Sequence, residues 1–233
     1  IDRTKLKIGA ADTKYLNTGE PNGNKWIVGE CDVSIRPGWF FHSSENGKVK
    51  SSTEIVDLYY QSVGKNGVLL INIPPDSLGL INKKDSSNLF GFKTIIDETF
   101  KNNLIKGSIV STSSSFSDEK CFAASNVVDE SSDSFWAAKA GTNYAIIEIE
   151  MKDSVIFNRF LIQEPIRFGQ RISEFEVSAF VNNEWRILSS ATTVGYKRLL
   201  KFETTTSKKI RIIIKNSIST PAISNVGLYL EFQ

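Results

Sequence analysis

The period of the hydrophobic pattern changes near Leu104, and that switch restricts the architectures open to the chain. Before it, apolar residues fall in the order strand, helix, strand, helix. A short apolar stretch, Val33-Ser34-Ile35, stops at Pro37-Gly38. Ser51 and Glu54 then form a capping-box pattern ahead of Ile55, Val56, Leu58, Tyr59 and Val63, which share a helical face that ends near Gly64. Asn66-Gly67 turns the chain into Val68–Ile73, a continuous apolar run closed by Pro74-Pro75, which reads as a parallel strand buried on both faces. Asp85 to Phe100 predicts a second amphipathic helix with Leu89, Phe92, Ile95, Ile96 and Phe100 inward.

Past the serine-rich stretch 111–115 the period shortens to two. Candidate strands are Ala145–Glu150, Phe157–Glu164, Glu174–Phe180, Trp185–Leu188, Leu199–Phe202, Lys209–Ile214 and Gly227–Phe232. Turns such as Val181-Asn182-Asn183-Glu184 separate them. Short strands at this spacing predict an antiparallel β-sandwich, with Trp136 and Trp185 in its core. The expected organisation is therefore multidomain, an α/β portion over 1–104 followed by an all-β domain over 105–233.

A chain of 233 residues accommodates one large domain or two ordinary ones. With 28 basic and 26 acidic residues the net charge is only +2, which gives no reason to expect nucleic acid or an anionic membrane as partner. No apolar run approaches the roughly 20 residues of a membrane span. Cys31 and Cys121 fit no zinc or redox spacing and read as two unpaired, buried thiols, with a bridge between them as the alternative. Ile1-Asp2-Arg3 does not resemble a natural start, so the chain is expected to be the C-terminal portion of a longer protein, and export cannot be judged from this end.

Chemistry concentrates between Trp26 and His42. Seventeen residues there hold Glu30, Asp32, Arg36, two indoles (Trp26, Trp39) and the single histidine, His42. Carboxylates and a guanidinium bind hydroxyls in directional pairs, and an indole face covers the apolar side of a pyranose. Glu30 and Asp32, at i and i+2 on one strand, share a face with Cα atoms about 6.5–7 Å apart. One strand does not easily place carboxyls on two sides of an anomeric carbon, so they are expected to bind rather than to form the catalytic pair, with Glu30 the better acid/base candidate. Arg36 is open to two roles, contact with sugar hydroxyls or a buried ion pair with Glu30 or Asp32. Trp39 reads as a pocket wall or a core indole, His42 as a pocket or a structural residue, and Trp26 as a core or loop anchor.

The run W-x-x-x-E-C-D-V-S-I-R-P-G-W-F-x-H closely resembles a late barrel-strand motif of glycoside hydrolase family 29, the α-L-fucosidases, and most of all the branch acting on α-1,3/1,4-linked fucose. The resemblance implies that residues 1–104 are the last part of a (β/α)₈ barrel. Residues 1–25 would then be an elaborated loop, and roughly 150 to 250 further residues would lie upstream. It also implies a retaining mechanism with two carboxyl groups about 5 Å apart. The family's Asp nucleophile and Glu acid/base match no motif in this chain, so the catalytic residues are expected upstream. Glu30, Asp32, Arg36, Trp39 and His42 remain substrate-binding candidates, with Trp39 against the C6 methyl of fucose. The implied substrate is a fucosylated, Lewis-type oligosaccharide and the implied partner is the upstream part of the same catalytic domain, with no cofactor. Such substrates, together with a Lys- and Asn-rich composition, suggest a bacterial, periplasmic or secreted protein.

Ala123-Ala-Ser-Asn-Val-Val-Asp129, followed by Trp136, is similar to the N-terminal signature of coagulation-factor type C (discoidin-like) sandwiches, which include carbohydrate-binding module family 32. Glu164-Pro-Ile-Arg-Phe-Gly-Gln-Arg171 resembles the sandwich appended to many family 29 enzymes. Related modules hold a structural Ca²⁺ where Asp129 and Ser134 fall, but no acidic ligand is evident around Asn225-Val226-Gly227, so no metal is expected. The loops offer no evident cluster of exposed aromatics, and the sandwich is expected to brace the barrel. The alternative is a non-catalytic glycan-binding or adhesion module.

Overall fold

The computed structural model describes residues 27–232 apart from Asp118 and Ser132; the expected loop over 1–25 and the Trp26 anchor lie outside the described residues. Residues 28–102 with 231–232 form one compact unit and residues 103–230 another.

The first unit is a parallel strand pair with two helices. β1 (Gly29–Ser34) pairs with β2 (Gly67–Asn72) in parallel, from Gly29 opposite Gly67 to Ser34 opposite Asn72. Between them runs α1 (Ser52–Gln61). Ser51 Oγ accepts the Glu54 N–H at 3.3 Å while Glu54 Oε2 accepts the Ser51 N–H at 2.8 Å, so the capping box is formed. Ile55, Val56 and Tyr60 are its buried residues. α2 (Lys83–Phe100) starts at Asn82, whose side chain accepts the Lys84 N–H. Ile35, Val49 and Ile55 form a small core with Ile71, Leu89 and Phe92 against it, and Tyr59 meets the rings of Phe92 and Phe100.

Two expectations change in this unit. β2 is not buried on both faces: Val68 and Leu70 are exposed while Ile71 packs toward the helices, because within the unit only one face is covered. The buried positions of α2 are the polar Asp85, Asn88 and Thr99, whereas the predicted apolar stripe is only half-buried.

The second unit is antiparallel. Its strands are β3 (Ile109–Thr112), β4 (Trp136–Ala137), β5 (Ala145–Gln163), β6 (Ile172–Val181), β7 (Glu184–Ala191), β8 (Arg198–Ser217), β9 (Ala222–Ile223) and β10 (Asn225–Tyr229). The main sheet has the order β10-β5-β8-β6-β7 with β3 also on β5, and β4 pairs with β9. Four expected strands merge into two. β5 joins the expected Ala145–Glu150 to most of the expected Phe157–Glu164, and β8 likewise joins Leu199–Phe202 to Lys209–Ile214. Register shifts between Glu150 and Val155 and between Phe157 and Arg159 absorb the irregularity, as bulges do where long strands bend around a core. Asn182 and Asn183 both take positive φ (53° and 66°), the turn that matches strand twist in a tight hairpin.

Alternate residues of β5, β6 and β8 point inward, among them Ile147, Ile149, Phe175, Val177, Ile210 and Ile212, all fully buried. Trp136 joins them, its indole N–H donating to the Ser114 carbonyl at 3.1 Å. Trp185 does not: it sits half-exposed on the outer face, edge-on to Phe180 and covered by the Arg211 guanidinium at 3.9 Å. Both cysteines are free, but Cys121 is exposed and Cys31 half-buried. Among the described residues, no helix is long and apolar enough to cross a membrane.

Candidate functional site

Strand alternation divides β1 into two sets of side chains. Glu30 and Asp32 lie on one face, both exposed, and Cys31 and Val33 lie on the other, half-buried. The chain then turns inward through Ser34, Ile35 and Arg36, all buried, before emerging at Pro37.

Arg36 ties the strand end to the second helix and to the loop beyond Pro37. Its Nε and Nη2 donate to the two carboxylate oxygens of Asp85, at the start of α2, at 2.9 Å each, a bidentate pair with both side chains fully buried. Nη1 donates to the His42 carbonyl at 3.3 Å and Nη2 also to Asn46 Oδ1 at 3.1 Å, while the guanidinium lies 4.5 Å over the Phe41 ring. The ion pair is therefore with Asp85 and not with Glu30 or Asp32. At 1% exposure Arg36 presents no surface to a sugar, which corrects its reading as a hydroxyl-binding residue.

The loop beyond Pro37 carries Trp39, 53% exposed, and His42, also exposed. Trp39 is thus no core indole. Glu30, Asp32 and Trp39 are all accessible at one strand and its C-terminal exit, while Arg36 lies beneath. Three polar residues escaped the sequence reading. Asp85 looks like an ordinary helix-start acid, Asn46 like a loop residue, and Asn72 like the end of a strand. Only Asn72 had a usable signal: in a parallel pair the C-terminal strand ends share an edge, which sets it opposite Ser34.

In the sandwich, Asp129 and Ser134 do come together, but with each other. Asp129 Oδ2 accepts from Ser134 Oγ at 2.5 Å and Oδ1 from the Ser131 N–H at 2.8 Å. Ca²⁺ takes six to eight oxygens, and no group of three or more acidic, His or Cys side chains converges anywhere among the described residues. Both side chains are thus engaged with each other and with the backbone of their own loop.

The expectation of no aromatic cluster is overturned. Phe116, Phe122, Phe135 and Phe168 form a ladder with successive ring centroids 5.0, 5.4 and 5.3 Å apart, and its end members Phe116 and Phe168 are about half-exposed. Arg167 stacks on Phe135 and Phe168, and Arg171 on Phe168. Phe116, Phe122 and Phe135 come from the connection between β3 and β4 and Phe168 from the one between β5 and β6, so the spacing of the four in sequence does not show that the rings meet. Behind the ladder, Glu164 is buried. Its Oε1 accepts the Arg171 and Ile172 N–H groups at 2.8 and 3.0 Å, and its Oε2 accepts Gly195 N–H at 2.7 Å. Burial pushes its carboxyl up to about 7, even though those three donors and the Arg171 charge pull it down.

Two family models match different parts of the chain. The family model "F5/8 type C domain" matches residues 109–232, and the model "Alpha-L-fucosidase" matches residues 2–93. The chain is 40% identical to Alpha-L-fucosidase 1 of Arabidopsis thaliana, covering 99% of this chain and 46% of that protein. Among solved structures, SpGH29 is 36% identical with a TM-score of 0.89, over 99% of this chain and 50% of that one. A Ruminococcus gnavus GH29 fucosidase in complex with fucose is 32% identical with a TM-score of 0.85, over 92% of this chain and 43% of that one. The chain thus spans about half the length of the curated relatives it matches. By its match over residues 109–232 the chain belongs to the F5/8 type C domain family, joined to a segment that matches the alpha-L-fucosidase family.

Proposed function

We propose that the protein bearing this chain is a retaining exo-α-L-fucosidase that releases terminal α-1,3/1,4-linked L-fucose from Lewis-type glycans. On this reading the α/β unit is the C-terminal part of a (β/α)₈ barrel whose upstream part supplies the nucleophile and the acid/base. The observation that carries the reading is that Glu30 and Asp32 are exposed on one face of a parallel strand and Trp39 is exposed in the loop beyond its C-terminal end, the end at which barrel enzymes build their active sites. The fucosidase names of the relatives support it. Two carboxyl groups complete the reaction without a cofactor: one attacks the anomeric carbon while the other protonates the departing oxygen, and the second then deprotonates the water that releases fucose. Glycans of this kind are extracellular, so a periplasmic or secreted location accompanies the proposal, and cell fractionation tests it.

The role of Trp39 is tested in the full-length protein. Losing one apolar face against the sugar costs about 1.5–3 kcal/mol, so Trp39→Ala lowers kcat/KM for an aryl α-L-fucoside by roughly 10- to 100-fold. Unchanged kinetics exclude Trp39 from the sugar site.

A second reading, glycan binding by the sandwich, is favoured by the exposed rings of Phe116 and Phe168. It is tested by affinity electrophoresis of the chain in gels containing fucosylated oligosaccharide. Retardation that disappears in the variant Phe116→Ala/Phe168→Ala supports it, and mobility equal to a glycan-free gel refutes it.

A further inference from the structure

Trp39 combines a free indole with a fixed main chain. The indole is 53% exposed, yet its own carbonyl and the one before it are each held by a side chain from a strand end. Asn72, the last residue of β2, uses its two amide hydrogens separately. One goes to the Trp39 carbonyl at 3.0 Å, the other to Ser34 Oγ at 3.1 Å. Ser34 Oγ in turn donates its only hydrogen to the Gly38 carbonyl at 2.7 Å. The donor count closes, since a hydroxyl has one hydrogen to give and lone pairs for Asn72, and an amide nitrogen has two hydrogens and both are used.

Ser34 and Asn72 face each other across the parallel pair, so the relay rests on backbone already fixed by the sheet. Three residues further on, the Arg36–Asp85 pair holds the His42 carbonyl and closes the other end of the loop. A loop anchored in this way presents a side chain with little entropy left to lose when a ligand arrives. An indole that served only to cover surface would need no such anchoring.

We infer that Ser34 and Asn72 are positioning residues that set the Trp39 indole against the sugar, and so set the enzyme's preference for a substrate bearing the C6 methyl. The inference rests on the fucosidase reading above. Neither residue touches the sugar; each acts through the Trp39 main chain. Their removal therefore weakens the contact that Trp39 makes and leaves the rest of the site in place.

The test compares kcat/KM for an aryl α-L-fucoside with that for the analogous glycoside lacking the C6 methyl, in the full-length protein. One methyl in an apolar contact is worth about tenfold or more, so wild type favours the fucoside by at least that ratio and Trp39→Ala brings it close to one. Asn72→Ala is expected to lower the ratio about threefold or more. Combined with Trp39→Ala it adds nothing further, because both changes remove the same contact. Ser34→Ala is a gentler variant that keeps the result readable should Asn72→Ala fold poorly, and it shifts the ratio in the same direction. A general loss of stability lowers both substrates alike and leaves the ratio unmoved. An unchanged ratio in both variants, or an Asn72 effect that persists in full without Trp39, overturns the inference while leaving the fucosidase reading intact. Wild-type protein inactive on both glycosides overturns the fucosidase reading itself, and the inference falls with it.

Discussion

Replacing Arg36 with methionine is expected to destabilise the α/β unit by about 3–5 kcal/mol, the cost of stranding one partner of a buried ion pair. The size is set by the geometry. Asp85 accepts two hydrogen bonds from Arg36, and both side chains are fully buried, so truncation leaves the carboxylate without its cation or access to water. The same change frees the His42 carbonyl and Asn46 Oδ1. Arg36→Lys does not rescue it, because an ammonium cannot reproduce the two-pronged contact. The double variant Arg36→Met/Asp85→Leu recovers most of the loss, since an apolar pair of similar volume avoids the desolvation of two charges. Urea denaturation of the wild type and the three variants measures this. A single-variant loss below about 1 kcal/mol, the range of exposed pairs, would contradict the burial assigned to the pair.

The second large effect is a pH dependence in the sandwich. The folded-state pKa of Glu164 is raised to about 7 by burial, against an unfolded value of 4.5. The folded protein therefore holds the proton more tightly than the unfolded chain. Stability contributed by this group is complete below about pH 4.5 and is lost as pH rises through about 7, a total of about 3 kcal/mol at one pKa unit per 1.36 kcal/mol. This is the reverse of a salt-bridged carboxylate, which loses stability as pH falls. Glu164→Gln flattens the profile, but it also sets an amide N–H against one of the three backbone donors, so the variant is less stable than wild type at low pH by about 1–3 kcal/mol. Thermal melts of both proteins between pH 4.5 and 8 test the assignment. A wild-type Tm that rises over that interval, or a variant with an equal slope, would count against it.

How much the sequence disclosed depended on the distance over which each feature is determined. The Ser51/Glu54 capping box and the Asn182-Asn183 turn are set by adjacent residues, and both are present as read. The change of period near Leu104 pointed to an α/β segment followed by antiparallel strands because each half keeps its own alternation. Strand ends were harder. The first of these strands was expected to end at Glu150, yet β5 runs on because its neighbours supply hydrogen bonds on both sides of a bulge. Trp185 was expected in the sandwich core, whereas its register opposite Phe180 turns it to the outer face.

The candidate site divides the same way. The motif placed Glu30, Asp32 and Trp39 on one accessible strand and loop, but not the partner of Arg36. Asp85 lies on another element, and no local pattern separates it from a helix-start acid. The aromatic ladder was invisible for a similar reason, since its rings fall at no regular spacing and the fourth, Phe168, comes from a different connection.

The central claim is that the protein bearing this chain removes α-linked L-fucose with retention. The most direct measurement is proton NMR of the full-length protein incubated with a Lewis-type trisaccharide, monitored at the anomeric signals from the first minutes. The account predicts α-L-fucose as the first free sugar, with the β anomer growing in only by mutarotation. Initial release of β-L-fucose would contradict the retaining mechanism, and absence of any free fucose would contradict the assignment of function.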